Sequence, residues 1–407
     1  MQSFIVSAKR TPFGAFGGKL KALSATELGA IAARAAINDL PKALQEKATN
    51  PDSKASVFNS SIFGNVLQTS KDAIYMPRHI ALKANLPIEV PALGVNRLCG
   101  SGFQAIVSAV HEIKADESHL AIVGGSESMS QAPYVIRDIR WGPKFGPENL
   151  NLEDSLISGL TDRFPTIVPM GITAENLGNK YDITREMSDI YALQSQIRWR
   201  NANDNGVFNN EIVPIELKTR KGSEMFSVDE HPRPGSTIEG LNKLKSVFVK
   251  DGLVTAGSAS GICDGAAALV IASETACSQH GLSPLARIAS YHTVAVDPSI
   301  MGIGPADAIR GALAKINKSL DDMDIIEVNE AFAAQVLAVS KDLGLDMLKT
   351  NINGGAIALG HPLAASGARI MTHLAHQLVA TKKRWAIGSA CIGGGQGIAI
   401  VIENMQI

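Results

Sequence analysis

Short apolar runs alternate with longer amphipathic stretches along the chain. The runs IVSA (from Ile5), AIVGG (from Ala121), ALVIAS (from Ala268), WAIGSA (from Trp385) and IAIVIE (from Ile398) are short, and most are bounded by glycine. Such runs fit strands buried on both faces, as in sheets covered by helices. Between them the apolar positions take helical spacing. After Cys99, residues Phe103, Ile106, Val107 and Val110 form one stripe. Residues 184–201 predict a further helix, opened by Thr184 with Met187 rather than by a capping box. Strands alternating with helices predict an α/β fold.

The pattern is duplicated. SGFQAIVSAVHEIKADESHLAIVGG from Ser101 and SGARIMTHLAHQLVATKKRWAIGSA from Ser366 share one plan: Ser-Gly, helix, polar turn, apolar strand, glycine. Upstream, Asn65 in IFGNVLQ matches Asn329 in IEVNEAF. Asn65 precedes Ser101 by 36 positions, and Asn329 precedes Ser366 by 37. Gly124 and Gly388 lie 264 positions apart, whereas the next strand openings, Gly265 and Gly397, lie only 132 apart. About 132 residues are therefore inserted in the first half, between Gly124 and Gly265. The insertion is rich in proline (Pro133, Pro143, Pro147, Pro165, Pro169, Pro214, Pro232, Pro234) and in polar turns. The expected organisation is residues 1–125 plus 252–277 as one half, 126–251 as an inserted loop domain, and 278–407 as the other half. Packed face to face, the halves predict a five-layer αβαβα body.

Composition narrows the function. The 407 residues are 45% hydrophobic and 19% charged, with net charge −1, which excludes general disorder and any global attraction to nucleic acid. No stretch approaches a membrane span, and the short run Phe4-Ile5-Val6 is far less than a signal-peptide core. The ending NMQI is not a peroxisomal address. The four cysteines, Cys99, Cys263, Cys277 and Cys391, form neither a CxxC pair nor a disulfide scaffold. A reducing compartment is expected, cytosol or organelle matrix, and no metal. No GxxxxGK[ST], dinucleotide-binding or HExxH motif occurs.

Cys99, in NRLCGSGFQ, stands just before a helix. It is either a packed core thiol or a nucleophile whose pKa the helix start lowers. Cys391, in SACIGGGQG, precedes three glycines, which make a tight turn or expose backbone N–H groups to an oxyanion. His361, in a Gly/Ala-rich loop before a helix, is a candidate base or a loop histidine bonded to backbone. Asn329 either caps the helix of NEAFAAQ or serves the same chemistry. Cys263, Cys277, His111, His119, His280, His373 and His376 are expected to be structural or ordinary.

In order along the chain, NRLCGSG, GGSESMS, NEAFA, GGAIALGHPLAASGAR and SACIGGGQGIA resemble the signature blocks of the thiolases. The resemblance covers essentially the whole chain. ESMSQAPY, YALQSQ, DEHPRP and DPSIMGIGP look most like the mitochondrial 3-ketoacyl-CoA branch of fatty-acid β-oxidation, with the acetoacetyl-CoA branch next. The resemblance implies Cys99 as the acylated nucleophile, His361 as the acceptor of its proton and Cys391 as general acid and base. It implies that Asn329 and His361 hold the thioester oxygen of the enolate, and that the N–H groups of Cys99 and Gly393 form a second oxyanion hole. Arg233 and Ser236 would contact coenzyme A, and Ser260 its pantetheine arm. Coenzyme A enters as substrate, with no permanently bound cofactor. A homotetramer, a dimer of dimers, is implied, in the mitochondrial matrix or alternatively the cytoplasm. Ala364 departs from the pattern, standing where the loop after the histidine usually has glycine.

The chemistry is consistent with these roles. A thiolate attacks a carbonyl readily and leaves readily. A basic coenzyme A surface is expected from Lys218, Arg220, Lys221, Arg233, Lys243 and Lys245, and an acyl-chain wall from Met129, Pro133, Met170, Ile172 and Phe332. RDIRWGPKFG, from Arg137, is expected to be an interaction loop. A decarboxylating synthase would carry a second histidine where Cys391 stands. A non-catalytic acyl-CoA carrier on the same scaffold would have lost some of these groups.

Overall fold

The computed structural model describes residues 1–49, 56–142, 150–219 and 222–407. Pro143, Pro147, Arg220, Lys221 and the end of RDIRWGPKFG lie outside the described residues. The first half runs β1 (Ser3–Arg10), α1 (Ala25–Asn38), β2 (Ser60–Gly64), α2 (Met76–Lys83), β3 (Ala92–Val95), α3 (Ser101–Lys114) and β4 (Leu120–Ser128). The next segment carries α4 (Met170–Lys180) and α5 (Arg185–Asp204), and β5 (Cys263–Ser273) follows. The second half runs β6 (Ala286–Ala295), α6 (Gly304–Ala314), β7 (Ile325–Val328), α7 (Ala333–Leu343), α8 (Leu363–Thr381), β8 (Trp385–Ile392) and β9 (Gln396–Asn404).

The strands lie in the order β7-β8-β9-β6-β1-β5-β4-β2-β3, with the two-residue strand Gly14–Ala15 completing ten by pairing with β5. The two halves were expected as packed layers; their sheets are also hydrogen-bonded to each other, through Phe4 with Arg287 and Ile5 with Ala286. The duplication survives at the level of register. Gly124 of β4 faces Ala268 of β5, and Gly388 of β8 faces Ile400 of β9, the 264 and 132 offsets of the sequence repeat.

Three large apolar clusters separate five layers. One joins α1 and α2 to the first half's strands, one holds α3 and α8 between both sets of strands, and one joins the second half's strands to α6 and α7. The central helices cross where side chains are minimal. A Cβ on Gly102 would come within 2.4 Å of Ala368 N, and one on Gly367 within 2.5 Å of Phe103 N. Since Ala368 is the repeat partner of Phe103, this contact is self-complementary, as a two-fold axis requires.

The segment between β4 and β5 is more regular than its prolines suggest. Helix α5 is capped by Thr184, whose hydroxyl accepts from Met187 N at 3.2 Å. Helix α4 has no counterpart among the expected elements. Its Gly171 and Gly178 weaken the helical signal, but both are required by packing. A Cβ at Gly171 would meet Phe248 at 2.1 Å, and one at Gly178 would meet Leu253 at 2.3 Å. Among the described residues no helix is long and apolar enough to cross a membrane.

Candidate active site

Cys99 sits at the turn between β3 and α3. Ser101 folds that turn, its hydroxyl accepting from Arg97 N at 2.9 Å and donating to Leu98 O at 2.7 Å. Leu98 adopts φ +46°, a conformation that costs energy for a branched residue and recurs at functional sites. Gly100 allows the second half to approach, since a Cβ there would lie 2.5 Å from Ile392. Arg97 Nη1 donates to Gln396 Oε1 at 3.1 Å across the same seam.

The electrostatics of Cys99 overturn one expectation. Burial pushes its thiol up to about 11, past the opposing hydrogen bond from Gly393 N–H, and the charge of Glu127 adds to the rise. The helix start does not offset the loss of water around a thiolate. Cys391 is the penultimate residue of β8 with 0% exposure, and burial, then the neighbouring Cys99, raises its thiol further still. Both sulfurs are therefore neutral thiols.

The three glycines after Cys391 supply the tight turn. They turn the β8–β9 hairpin, with Gly394 at φ +76° and Gly395 at φ +79°. A Cβ at Gly395 would meet Val296 O at 2.2 Å. Gly393 meanwhile points its N–H at Cys99 Sγ.

His361 is delivered by Gly360, whose φ of +94° and closeness to Cys263 Sγ, 2.5 Å from any added Cβ, exclude a side chain. Its own N–H donates to Gly261 O at 2.8 Å. The ring contacts Asn329 Nδ2 through Nε2 at 3.3 Å and Ser366 Oγ through Nδ1 at 2.6 Å. An amide nitrogen only donates, so this network assigns the proton to Nδ1 and leaves Nε2 as acceptor. Burial, then the charge of Arg369, lowers the imidazole to about 3. Arg369 pairs in turn with buried Glu327. His361 is thus a neutral base.

Asn329 does not cap α7, which starts only at Ala333. It is fully buried, held by its N–H to Ser389 O at 2.9 Å, and its Oδ1 has no protein partner. Glu330 explains how this loop is held, accepting from Tyr191, Ser195, Asn351 and Ile357 N.

Cys99 and His361 open into an apolar cavity of about 440 Å³, lined also by Met129, Ile157, Leu160 and Phe332. Ser260 lines it too, its N–H already donating to Ala331 O at 2.9 Å. Ala256 joins this cavity to a second of about 410 Å³, lined by Arg233, Ser236 and His231. Arg233, Lys218, Lys243 and Lys245 are exposed.

Of the expected wall, Met129, Met170 and Phe332 line the inner cavity, and Pro133 and Ile172 do not. Ile172 lies two residues beyond Met170 on a helix, about 200° around its axis. Pro133 is turned to the surface, its carbonyl accepting from Ser155 N. Sequence reasoning missed Ile157, Leu160 and Glu127. The first two sit in the irregular segment, where no periodicity marks them. Glu127 had a signal, its repeat offset from Cys391.

Comparison with known proteins gives concordant results. The chain matches the family model "Thiolase, N-terminal domain" over residues 3–275 and "Thiolase, C-terminal domain" over residues 282–404. It is 57% identical over 401 residues to the mitochondrial 3-ketoacyl-CoA thiolase of Bos taurus, covering 98% of each chain. The crystal structure of the human mitochondrial 3-ketoacyl-CoA thiolase superposes with a TM-score of 0.94 at 55% identity over 99% of both chains. The same human protein in complex with CoA gives a TM-score of 0.93 at 54% identity, over 99% of this chain and 98% of that one.

Proposed function

The chain belongs to the thiolase family, and from that premise we propose how its residues carry out the reaction. It is a 3-ketoacyl-CoA thiolase, an acyltransferase that cleaves 3-ketoacyl-CoA with coenzyme A to acetyl-CoA and a shortened acyl-CoA. The observation that carries the reading is the convergence of half-buried Cys99, buried Cys391, a neutral histidine and the Gly393 N–H, with Cys99 and His361 lining an apolar cavity.

Cys99 Sγ attacks C3 of the 3-ketoacyl group, and His361 Nε2 takes the thiol proton. Gly393 N–H, with the N–H of Cys99, stabilises the oxyanion formed at C3. The C2–C3 bond breaks, and its electron pair leaves as the acetyl-CoA enolate, whose oxygen Asn329 and His361 hold. Cys391 protonates the enolate carbon; its raised pKa suits a donor to so strong a base. Coenzyme A then enters, and the Cys391 thiolate takes its thiol proton. Its sulfur attacks the acyl-Cys99 thioester, and His361 returns a proton to the departing Cys99.

The outer cavity, with Arg233 and Ser236, receives coenzyme A, with Ser260 beside its pantetheine arm. We assign most of the lining of this outer cavity to a loop domain of residues 126–251, with Ala256, Gly257 and Ile357 from outside it. The protein forms a homotetramer in the mitochondrial matrix. Exposed Tyr134, Ile136, Ile139 and Trp141, the last 94% accessible, support the association, and the names of the bovine and human relatives support the compartment. Sedimentation yielding only monomer at micromolar concentration overturns the assembly.

The test of the activity is loss of 3-keto absorbance on adding coenzyme A, with kcat/KM compared for four-, six-, eight- and ten-carbon substrates. Each buried CH₂ is worth about 0.8 kcal/mol, roughly fourfold, so the apolar wall predicts sustained activity beyond four carbons. A steep fall after four carbons favours the acetoacetyl-CoA reading.

A further inference from the structure

The repeat assigns three residues of the reacting corner a counterpart. Cys391 corresponds to Glu127 and Asn329 to Asn65, each pair 264 positions apart, and Cys99 corresponds to Ala364, 265 positions on. The pairing register agrees, since Glu127 faces Gly265 on β5 as Cys391 faces Gly397 on β9. The counterparts are themselves assembled. Glu127 is fully buried, and its Oε1 accepts from Asn65 Nδ2 at 3.0 Å and Leu67 N at 2.9 Å. Its Oε2 accepts from Val66 N at 3.2 Å and Ala364 N at 3.1 Å. The reaction as derived uses none of these groups.

The bonds nevertheless reach the chemistry from both sides. Ala364 follows His361 by three residues, and Leu363 between them lines the inner cavity. Val66 and Leu67 pack in one apolar cluster with Cys99, Met129 and Leu363. The carboxylate thus bridges a loop of the first half to the histidine loop of the second. We propose that Glu127 is a positioning residue whose carboxylate fastens the chain after β2 to the start of α8, holding His361 and Leu363 in register with Cys99. This rests on the proposed catalytic roles. Two acidic or thiol groups, Asp264 and Cys99, lie within its electrostatic reach. Burial raises the Glu127 carboxyl to about 7 against the pull of the Leu67, Ala364 and Val66 N–H groups.

Glu127→Gln tests the assignment, because an amide nitrogen faces two N–H donors and loses those bonds. A misplacement of about 1 Å costs on the order of 10²-fold in rate. The expected result is a kcat for acetoacetyl-CoA thiolysis lower by that factor, with KM for coenzyme A little changed, because the outer cavity is built from other loops. Alkylation of Cys99 by iodoacetamide should not slow, since a negative charge beside the thiol has gone, and unfolding should stay cooperative. Glu127→Asp, which keeps the charge at shorter reach, should fall between. A kcat close to the parent's overturns the proposal, as does parallel loss of kcat, alkylation and cooperative unfolding, which marks a merely structural role. Should Glu127→Gln not fold, Asn65→Ala removes one donor only, and it must show a smaller kcat loss with unchanged KM. Thiolysis by the parent is the control: its absence rejects the proposed function, whereas an active parent with fully active variants rejects this inference alone.

Discussion

Two corners of this molecule share a backbone and differ in what fills it. Near the end of β8, buried Cys391 neighbours Cys99, which lines a cavity, and Asn329 leaves its Oδ1 without a protein partner. At the end of β4, the equivalent positions hold a carboxylate and an alanine joined by a hydrogen bond. The asparagines diverge as well. Asn329 Nδ2 meets a histidine ring at 3.3 Å, whereas Asn65 Nδ2 meets Glu127 at 3.0 Å. The comparison teaches that the fold supplies a place twice, and that side-chain chemistry decides which copy stays open to a substrate. A closed corner can then brace the open one.

The sharpest way to break the comparison is to remove its central difference. Cys99→Ala makes the open corner resemble the closed one, and thiolysis should fall by at least about 10³-fold. Covalent labelling by acetyl-CoA should vanish; mass spectrometry finding the acetyl group on another residue rejects Cys99 as nucleophile. Cys391→Ala should be next, suppressing exchange of the acetyl-CoA methyl protons by roughly 10²–10⁴-fold while Cys99 still reacts slowly with thiol reagents. Normal exchange in that variant assigns the proton to another group.

The corners should also oppose each other in pH. His361 titrates at about 3 in the folded chain, below its unfolded value of 6.5, so the unfolded state binds the proton first. Its contribution to stability is complete above 6.5 and is lost as pH falls toward 3. Glu127 titrates at about 7, above its unfolded 4.5, so its contribution is complete below 4.5 and is lost as pH rises through 7. Each amounts to the order of a few kcal/mol at most. Melting temperatures followed from pH 3 to 8 should show His361→Asn flattening the acid side and Glu127→Gln the neutral side. Identical effects of the two variants contradict the assignment. The smallest effect probes the shared frame. Gly102→Ala and Gly367→Ala should destabilise by similar amounts, about 1–3 kcal/mol each in urea unfolding, because each added methyl meets backbone across one pseudo-two-fold contact. A large inequality shows that the axis is not symmetric in energy.

Much of this frame was legible because spacing survives where identity does not. Agreement of Asn65, Ser101 and Gly124 with Asn329, Ser366 and Gly388 anticipated the registers of β4 with β5 and of β8 with β9. The blocks around Cys99, His361 and Cys391 converge because Gly100, Gly360 and Gly395 each stand where a side chain would strike the neighbouring segment. The thiol's raised pKa was not legible, since a helix start is visible in sequence and the depth of its burial is not. Ile157, Leu160 and α4 escaped because their order comes from contact with distant residues such as Phe248 and Leu253. Ala364 reads in sequence as a departure. In the fold it lies buried at a helix start, and what matters there is its backbone N–H.

The strand order carries a consequence for the newly made chain. Among the described residues, strand β1 is flanked by β5 and β6, more than 250 residues downstream in sequence, with one further bridge from Arg10 to Ile212. β4, buried along all nine residues, pairs with β2 on one edge and waits for β5 on the other. On a ribosome adding about 5–20 residues each second, β1 stands with an open edge for roughly 13–50 seconds and β4 for roughly 7–27 seconds. Until β5 emerges, the first half is an incomplete sheet with an apolar edge of the kind that recruits other chains. A folding helper that shields β1 and β4 during that interval should raise the yield of this protein more than one acting after release, and a fragment ending before Cys263 should aggregate where the whole chain does not.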